Sequence, residues 1–87
     1  MNTGELLLIA AKVAALSGET VQAEQLYRRI VTHYEKKHGD ESVQVAQGLL
    51  ELGDFLEKGS RTVEAEECYE RMRRILSRHV YQSETTK

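Results

Sequence analysis

The sequence predicts an all-α fold of four helices, arranged as two antiparallel helix hairpins one after the other. Three observations carry this reading. Thr20-Val21-x-Ala23-Glu24-x-x-Tyr27-x-Arg29 recurs as Thr62-Val63-x-Ala65-Glu66-x-x-Tyr69-x-Arg71, every position displaced by 42 residues. Self-similarity at a fixed spacing of this size marks a stacked array, in which each unit buries its apolar face against the next. Apolar residues also fall four, three and four apart in the second helical segment of each half, which places them on one helix face. Finally, the 87 residues include no proline, no tryptophan and few aromatics, while Glu, Arg, Leu and Ala, which favour helix, are frequent.

Taken in order, the first helix is expected over about Thr3 to Leu16, with Asn2 or Thr3 as its N-cap and Ser17-Gly18 as its stop. The second begins at Thr20, carries Ala23, Tyr27, Ile30 and Tyr34 on one face, and should stop at Gly39. The third begins after Ser42 and sets Val45, Leu49, Leu52 and Leu56 on one stripe, with Ala46 and Gly53 beside them where a neighbouring helix comes close. Gly59-Ser60 ends it. The fourth starts at Thr62, shows Ala65, Tyr69, Met72 and Leu76 at the same spacing, and is expected to fray between His79 and Gln82. Leu7, Ala10 and Ala14 fall 42 residues before Leu49, Leu52 and Leu56, so one period holds one helix pair. The domain spans 1–82, with repeat 1 at about 3–38, repeat 2 at about 42–80 and a disordered tail expected over 83–87. Connections of two to five residues make successive helices antiparallel neighbours.

A formal charge of -2 gives no global attraction to nucleic acid phosphates, whose binding rests on clustered Lys and Arg. The single cysteine, Cys68, has no internal disulfide partner and stands where the first repeat has Leu26, so it reads as a small core residue. That suits a reducing, cytoplasmic compartment. The apolar run from Leu6 to Leu16 is preceded by Glu5, interrupted by Lys12 and led by no basic residue, and it is too short to span a membrane.

These residues resemble the tetratricopeptide repeat, in the 42-residue variety found in kinesin light chains and many bacterial proteins. Val45-Ala46, Leu49, Leu52-Gly53, Leu56, Ala65-Glu66, Tyr69 and Arg71 carry the likeness in the second unit. The segment between units in that family, approximately Glu-Lys-x-x-Gly-Pro-Asp-His-Pro-x-Val-Ala, is matched in spacing and ends by Glu35 to Ala46, without the two prolines. In the first unit Gly18, Ala23 and Tyr27 fit, while Ala10, Ala11 and Ala14 stand where the family usually shows Leu, a small residue and Tyr. The resemblance covers nearly the whole chain outside the tail. It implies a right-handed superhelix of helix pairs that acts as an adaptor, with the first helix of each pair lining a concave surface that holds an extended peptide or a helix of another protein. It implies no catalysis.

The residues expected on that concave side differ in kind between the units. In the first they are Leu8, Ile9, Lys12, Ala15 and Leu16; in the second, Leu50, Glu51, Asp54, Glu57 and Lys58. A helix apolar nearly all round, as Leu6 to Leu16 is, is normally buried on more than one side, whereas the end of an array calls for a polar face. Covering Leu8, Ile9 and Leu16 at about 1.5 to 3 kcal/mol per side chain would contribute on the order of 5 to 9 kcal/mol before ordering costs. Leu8, Ile9, Ala15 and Leu16 are therefore the expected self-association patch, most simply with a second copy of the chain. Gln47, Leu50, Glu51, Asp54 and Lys58 are the expected contacts for a partner protein, one carrying some basic residues.

The remaining groups point to structure rather than chemistry. Glu67 with Arg71 and Glu70 with Arg74 are i, i+4 neighbours on a solvated face, and Arg71, Arg74 and Arg78 share a stripe that could alternatively meet an acidic partner. His33 and His38 lie about 140 degrees apart around a helix, unlike a metal-binding i, i+4 pair. Tyr27, Tyr34 and Tyr69 fall on core stripes, and Tyr81 is left free. No nucleophile and base pairing, phosphate loop or pair of catalytic carboxylates stands out, so neither an enzyme nor a cofactor is expected. The sequence reads as a non-enzymatic protein–protein interaction module that forms a homodimer and binds a partner in its groove. A purely structural homo-oligomerisation element and a piece of a longer repeat protein are the alternatives.

Overall fold

Short polar residues cap the starts of the first and third helices, and Ser17, Gly39 and Gly59 follow the ends of the first three. In the computed structural model, which describes the backbone of residues 1–85 and the side chains of residues 1–80, α1 runs Thr3–Leu16, α2 Thr20–His38, α3 Val43–Lys58 and α4 Thr62–Thr85. Asn2 caps α1 through a reciprocal pair, its side chain accepting from the Glu5 amide at 2.8 Å while the Glu5 carboxylate accepts from the Asn2 amide at 3.1 Å. Ser42 caps α3 by accepting from the Val45 amide at 3.2 Å. The two hairpin turns are equivalent under the 42-residue shift, and both use the left-handed region: Gly18 at φ 80° and Ser60 at φ 65°. Glycine occupies that region at no steric cost, whereas Ser60 carries a Cβ into it.

The helices pack strictly in chain order, α1 on α2, α2 on α3 and α3 on α4, and α1 makes no backbone approach to α4 among the described residues. A closed four-helix bundle would bring its first and last helices together. This chain is instead an open layer, with extents of 48 × 31 × 16 Å. All α architecture of two hairpins in series is thus what the chain adopts.

The core is continuous through the layer. Ala11 and Ala14 of α1 meet Ala23, Tyr27, Ile30 and Val31 of α2; Val45, Ala46, Leu49, Leu52 and Leu56 of α3 fill the centre; Ala65 and Ile75 of α4 close it. Leu7, Leu8, Leu26, Tyr34, Phe55, Cys68, Tyr69 and Met72 pack around this cluster half-buried. Burial pushes the Cys68 thiol above its ordinary pKa, as expected for a small inert residue in Leu26's place.

In α4 the stripe differs from expectation by one residue. Ile75 is 1% exposed, whereas Leu76 is 38% exposed. Under the repeat, Leu76 matches Tyr34, which α1 and α3 flank from either side; no further helix among the described residues flanks Leu76. Ile75 occupies the edge turned into the α3 side. Ile75→Ala should accordingly destabilise the protein by about 2–5 kcal/mol, and Leu76→Ala by far less. Equal shifts of the two urea midpoints would contradict this register.

α4 also continues through Thr85, past the expected fraying point and three residues into the segment read as a tail. No glycine or proline follows Gly59, so nothing stops a helix whose extension adds one hydrogen bond per residue. Thr86, Lys87 and the side chain of Tyr81, for which a tail and a free ring were expected, lie outside what is described.

The charged faces tie helices together as well as stabilising single ones. Neither Glu67–Arg71 nor Glu70–Arg74 closes as an ion pair. Arg71 Nη2 instead donates to Glu35 Oε2 of α2 at 2.8 Å and to the Asp40 carbonyl at 3.3 Å, and Arg78 Nη1 pairs with Glu41 at 3.2 Å. Arg61, at the start of α4, forks to Glu64 at 2.7 and 2.8 Å and bonds Glu24 of α2, which also accepts from Arg28 Nε at 2.9 Å. The Arg61 guanidinium holds the Glu24 and Glu64 carboxyls below their ordinary pKa near 4.5. The folded chain therefore binds these protons less tightly than the unfolded chain. Their stabilising effect is present above about pH 4.5 and is lost as the pH falls through the lower folded values. Melting temperature should drop on acidification below that pH, and Arg61→Gln should flatten the drop; a wild-type slope in the variant would show that the cluster contributes nothing.

Candidate functional site

The feature that stands out is a groove between α1 and α3. Both helices rest on α2, from opposite edges, and leave α2's Tyr27, Ile30 and Tyr34 as a floor between them. Two adjoining hollows result, of about 330 and 320 Å³, near the lower bound of roughly 300 Å³ for ligand sites. The first is lined by Gly4, Glu5 and Leu8 of α1, Ile30 and Tyr34 of α2, and Gln47, Gly48, Leu50 and Glu51 of α3. The second is lined by Lys12, Ala15 and Leu16, by Tyr27, and by Glu51, Asp54, Phe55 and Lys58. Lys12 Nζ and Glu51 Oε1, 4.0 Å apart, face each other across the groove.

Local sequence explains each wall. Gly4 lets the Tyr34 ring lie directly over the first turn of α1, where a Cβ would collide with the phenol oxygen. His33 and His38 flank that ring, with centroids 5.4 and 5.8 Å away. Tyr27 packs on Phe55 at 5.1 Å between centroids, and burial, with Glu51 and Asp54 nearby, pushes its hydroxyl pKa upward. Asp54 is held by α4: Tyr69 Oη donates to Asp54 Oδ1 at 2.6 Å and lies 3.3 Å from Glu57 Oε1. Those carboxylates disfavour the phenolate and raise the Tyr69 pKa. Asp54 thus sits in the groove with one oxygen fixed by Tyr69.

All five residues assigned from sequence to partner contact, Gln47, Leu50, Glu51, Asp54 and Lys58, line this groove from the α3 side. The self-association set divides. Leu8, Ala15 and Leu16 line the same groove from the α1 side, while Ile9 is exposed and lines neither hollow. Sequence reasoning missed the floor, having assigned Tyr27 and Tyr34 to the core alone. The signal that could have found it is Gly4, a glycine in the first turn of α1 where the Tyr34 ring leaves no room for a Cβ.

Among the described residues no group of three or more His, Cys, Asp or Glu is placed to hold a metal ion, and no helix is long and apolar enough to cross a membrane. No family model matches the chain, and neither a curated protein nor a solved structure matches it. The groove's chemistry has to be read from its own residues: an apolar floor, with Glu5, Glu51 and Asp54 set against Lys12 and Lys58 on the walls.

Proposed function

We propose that this chain is a non-enzymatic protein–protein interaction module, an adaptor of the tetratricopeptide kind, that holds a peptide or helix of a partner protein between α1 and α3 and associates with itself through α1. The observation that carries the reading is the groove itself: an open, apolar-floored channel running between two helices, with ionic groups on both walls. Such a channel suits a segment that places apolar side chains on Tyr27, Ile30 and Tyr34 and basic ones against Glu51 and Asp54. The 42-residue repeat supports the tetratricopeptide assignment, and the lone thiol of Cys68 supports a reducing, cytoplasmic setting. The apolar outer face of α1 supports the second reading, a structural homo-oligomerisation element with no ligand.

Fluorescence anisotropy with labelled peptides separates the two. A peptide alternating leucine with lysine should bind at least about tenfold more tightly than one alternating leucine with glutamate, a difference of about 1.4 kcal/mol, and added salt should narrow the gap. A Glu51→Lys, Asp54→Lys double variant should reverse the preference. Equal affinity for both peptides, or no response to the double variant, would overturn groove binding and leave the oligomerisation element.

A further inference from the structure

The large apolar residues that α1 leaves exposed form a pattern. They are Leu6 at 55%, Ile9 at 49%, Val13 at 57% and Leu16 at 89%, spaced three, four and three apart. This is the a/d spacing of a coiled-coil seam. The seam lies opposite Gly4, Ala11 and Ala14, the residues that α1 buries, and small Ala10 flanks it. We infer that this seam is the self-association surface, and that it packs against the same seam of a second copy, antiparallel, about a two-fold axis. The inference rests on and refines the self-association part of the proposed function, and it shares only Leu16 with the groove.

Two features of the repeat identify the occupant. Under the 42-residue shift Leu6 stands where α3 has Gly48. At Gly48 an added Cβ would already lie 3.3 Å from Ile30 Cγ2 and Val31 Cγ2 and 3.5 Å from the Val31 Cα, so glycine is what lets α2 come close to α3. Leucine at the equivalent place closes that approach, and a helix of the α2 kind cannot stack on α1 as α2 stacks on α3. At the other end of the layer, Arg73 of α4 stands where α2 has Val31 and pairs with Glu66 at 2.9 Å. Stacking copies head to tail would press this ion pair onto an apolar seam and strip it of water. A seam meeting its own copy avoids both obstacles, since apolar meets apolar and the two-fold closes the assembly at two chains, whereas head-to-tail contact propagates.

The pairing follows from overlap. With the helices antiparallel and the seam fully used, Leu6 faces Leu16 and Ile9 faces Val13 of the other copy. The seam from Leu6 to Leu16 is a strip about 16 Å long and one helix diameter, about 10 Å, wide, which is well short of the roughly 800 Å² per partner of stable interfaces. The dimer should therefore dissociate on dilution.

Sedimentation equilibrium or light scattering over a concentration series tests this on the full chain. The mass should rise with concentration and level off at two chains. Val13→Glu should hold it at one chain while the helical circular dichroism stays unchanged, and Val80→Glu on α4 should leave the dimer intact. A second measurement is independent of that variant's folding: in a Cys68→Ala background, a mixture of Ile9→Cys and Val13→Cys chains should form disulfide dimers faster than either chain alone, because only the mixed pair brings the cysteines opposite each other. A single-chain mass at every concentration, mass growing past two chains, loss of the dimer in Val80→Glu, or no advantage of the mixture would each overturn the proposal, and none of them bears on peptide binding by the groove.

Discussion

Leu56→Ala is expected to be the most damaging of the core truncations, lowering stability by about 2–5 kcal/mol. Leu56 is one of the largest fully buried side chains, and its main-chain carbonyl, which the substitution keeps, holds the turn that follows it. The α3–α4 turn closes on its carbonyl, which accepts from the Gly59 amide at 3.1 Å and the Arg61 amide at 2.9 Å. In the first unit the equivalent position is Ala14, so the space that Leu56 fills is peculiar to the second unit, and truncation leaves a cavity bordered by rigid helices on both sides. At about 4–8 °C per kcal/mol for a domain of this size, the melting temperature should fall by roughly 8–40 °C. A shift of under about 5 °C would mean that the layer collapses to refill the site and that its centre is looser than described.

Gly48→Leu should also have a large effect, through overpacking. Here the outcome depends on substituent size. Gly48→Ala sets a tight contact, a few tenths of an ångström of give, against a gain of about 0.8–1.0 kcal/mol in helix propensity, and should be close to neutral in a urea titration. Gly48→Leu would force α2 away from α3 and cost about 1–3 kcal/mol or more. Because α2 also supplies the groove floor, the leucine variant should lose peptide affinity as well. Two variants of equal midpoint would show that the α2–α3 separation is not set at Gly48.

Much of the fold was legible because the chain states it twice. Helix starts at Thr3, Thr20, Val43 and Thr62 follow from Asn2, Ser42 and the two Gly-Glu or Ser-Arg turns, which are local signals with local consequences. Core positions shared by both copies, such as Ala23 with Ala65, were equally plain. Legibility failed where the repeat's symmetry is broken by position in the array. Leu76 copies Tyr34 in spacing but lacks the neighbours that flank Tyr34, so burial passes to Ile75. Ion pairing failed for the same reason: Glu67 and Arg71 are neighbours on one helix, yet Arg71 reaches Glu35 on another, which no i, i+4 rule encodes.

The groove shows the same division. Its α3 wall could be read from the alternation of Leu50, Glu51, Asp54 and Lys58 around one helix. Its floor could not, since half-buried Tyr34 looks like any core aromatic until Gly4 is seen beneath it. The seam on α1 was recognised as excess apolar surface, but with Leu8 and Ala15 included; only the exposures separate the outward Leu6 and Val13 from the groove-facing pair. Leu16 belongs to both surfaces, so groove and seam meet at the C-terminal end of α1.

The most direct measurement of groove binding is the amide spectrum of the isotope-labelled chain, titrated with the leucine–lysine peptide. Shifts concentrated at Leu8, Lys12, Gln47, Leu50, Glu51 and Asp54, with the Tyr27 and Tyr34 ring signals moving alongside, are the predicted result. Shifts centred on the outer face of α4, around Glu66, Glu70 and Ser77, with α1 and α3 unmoved, would contradict it.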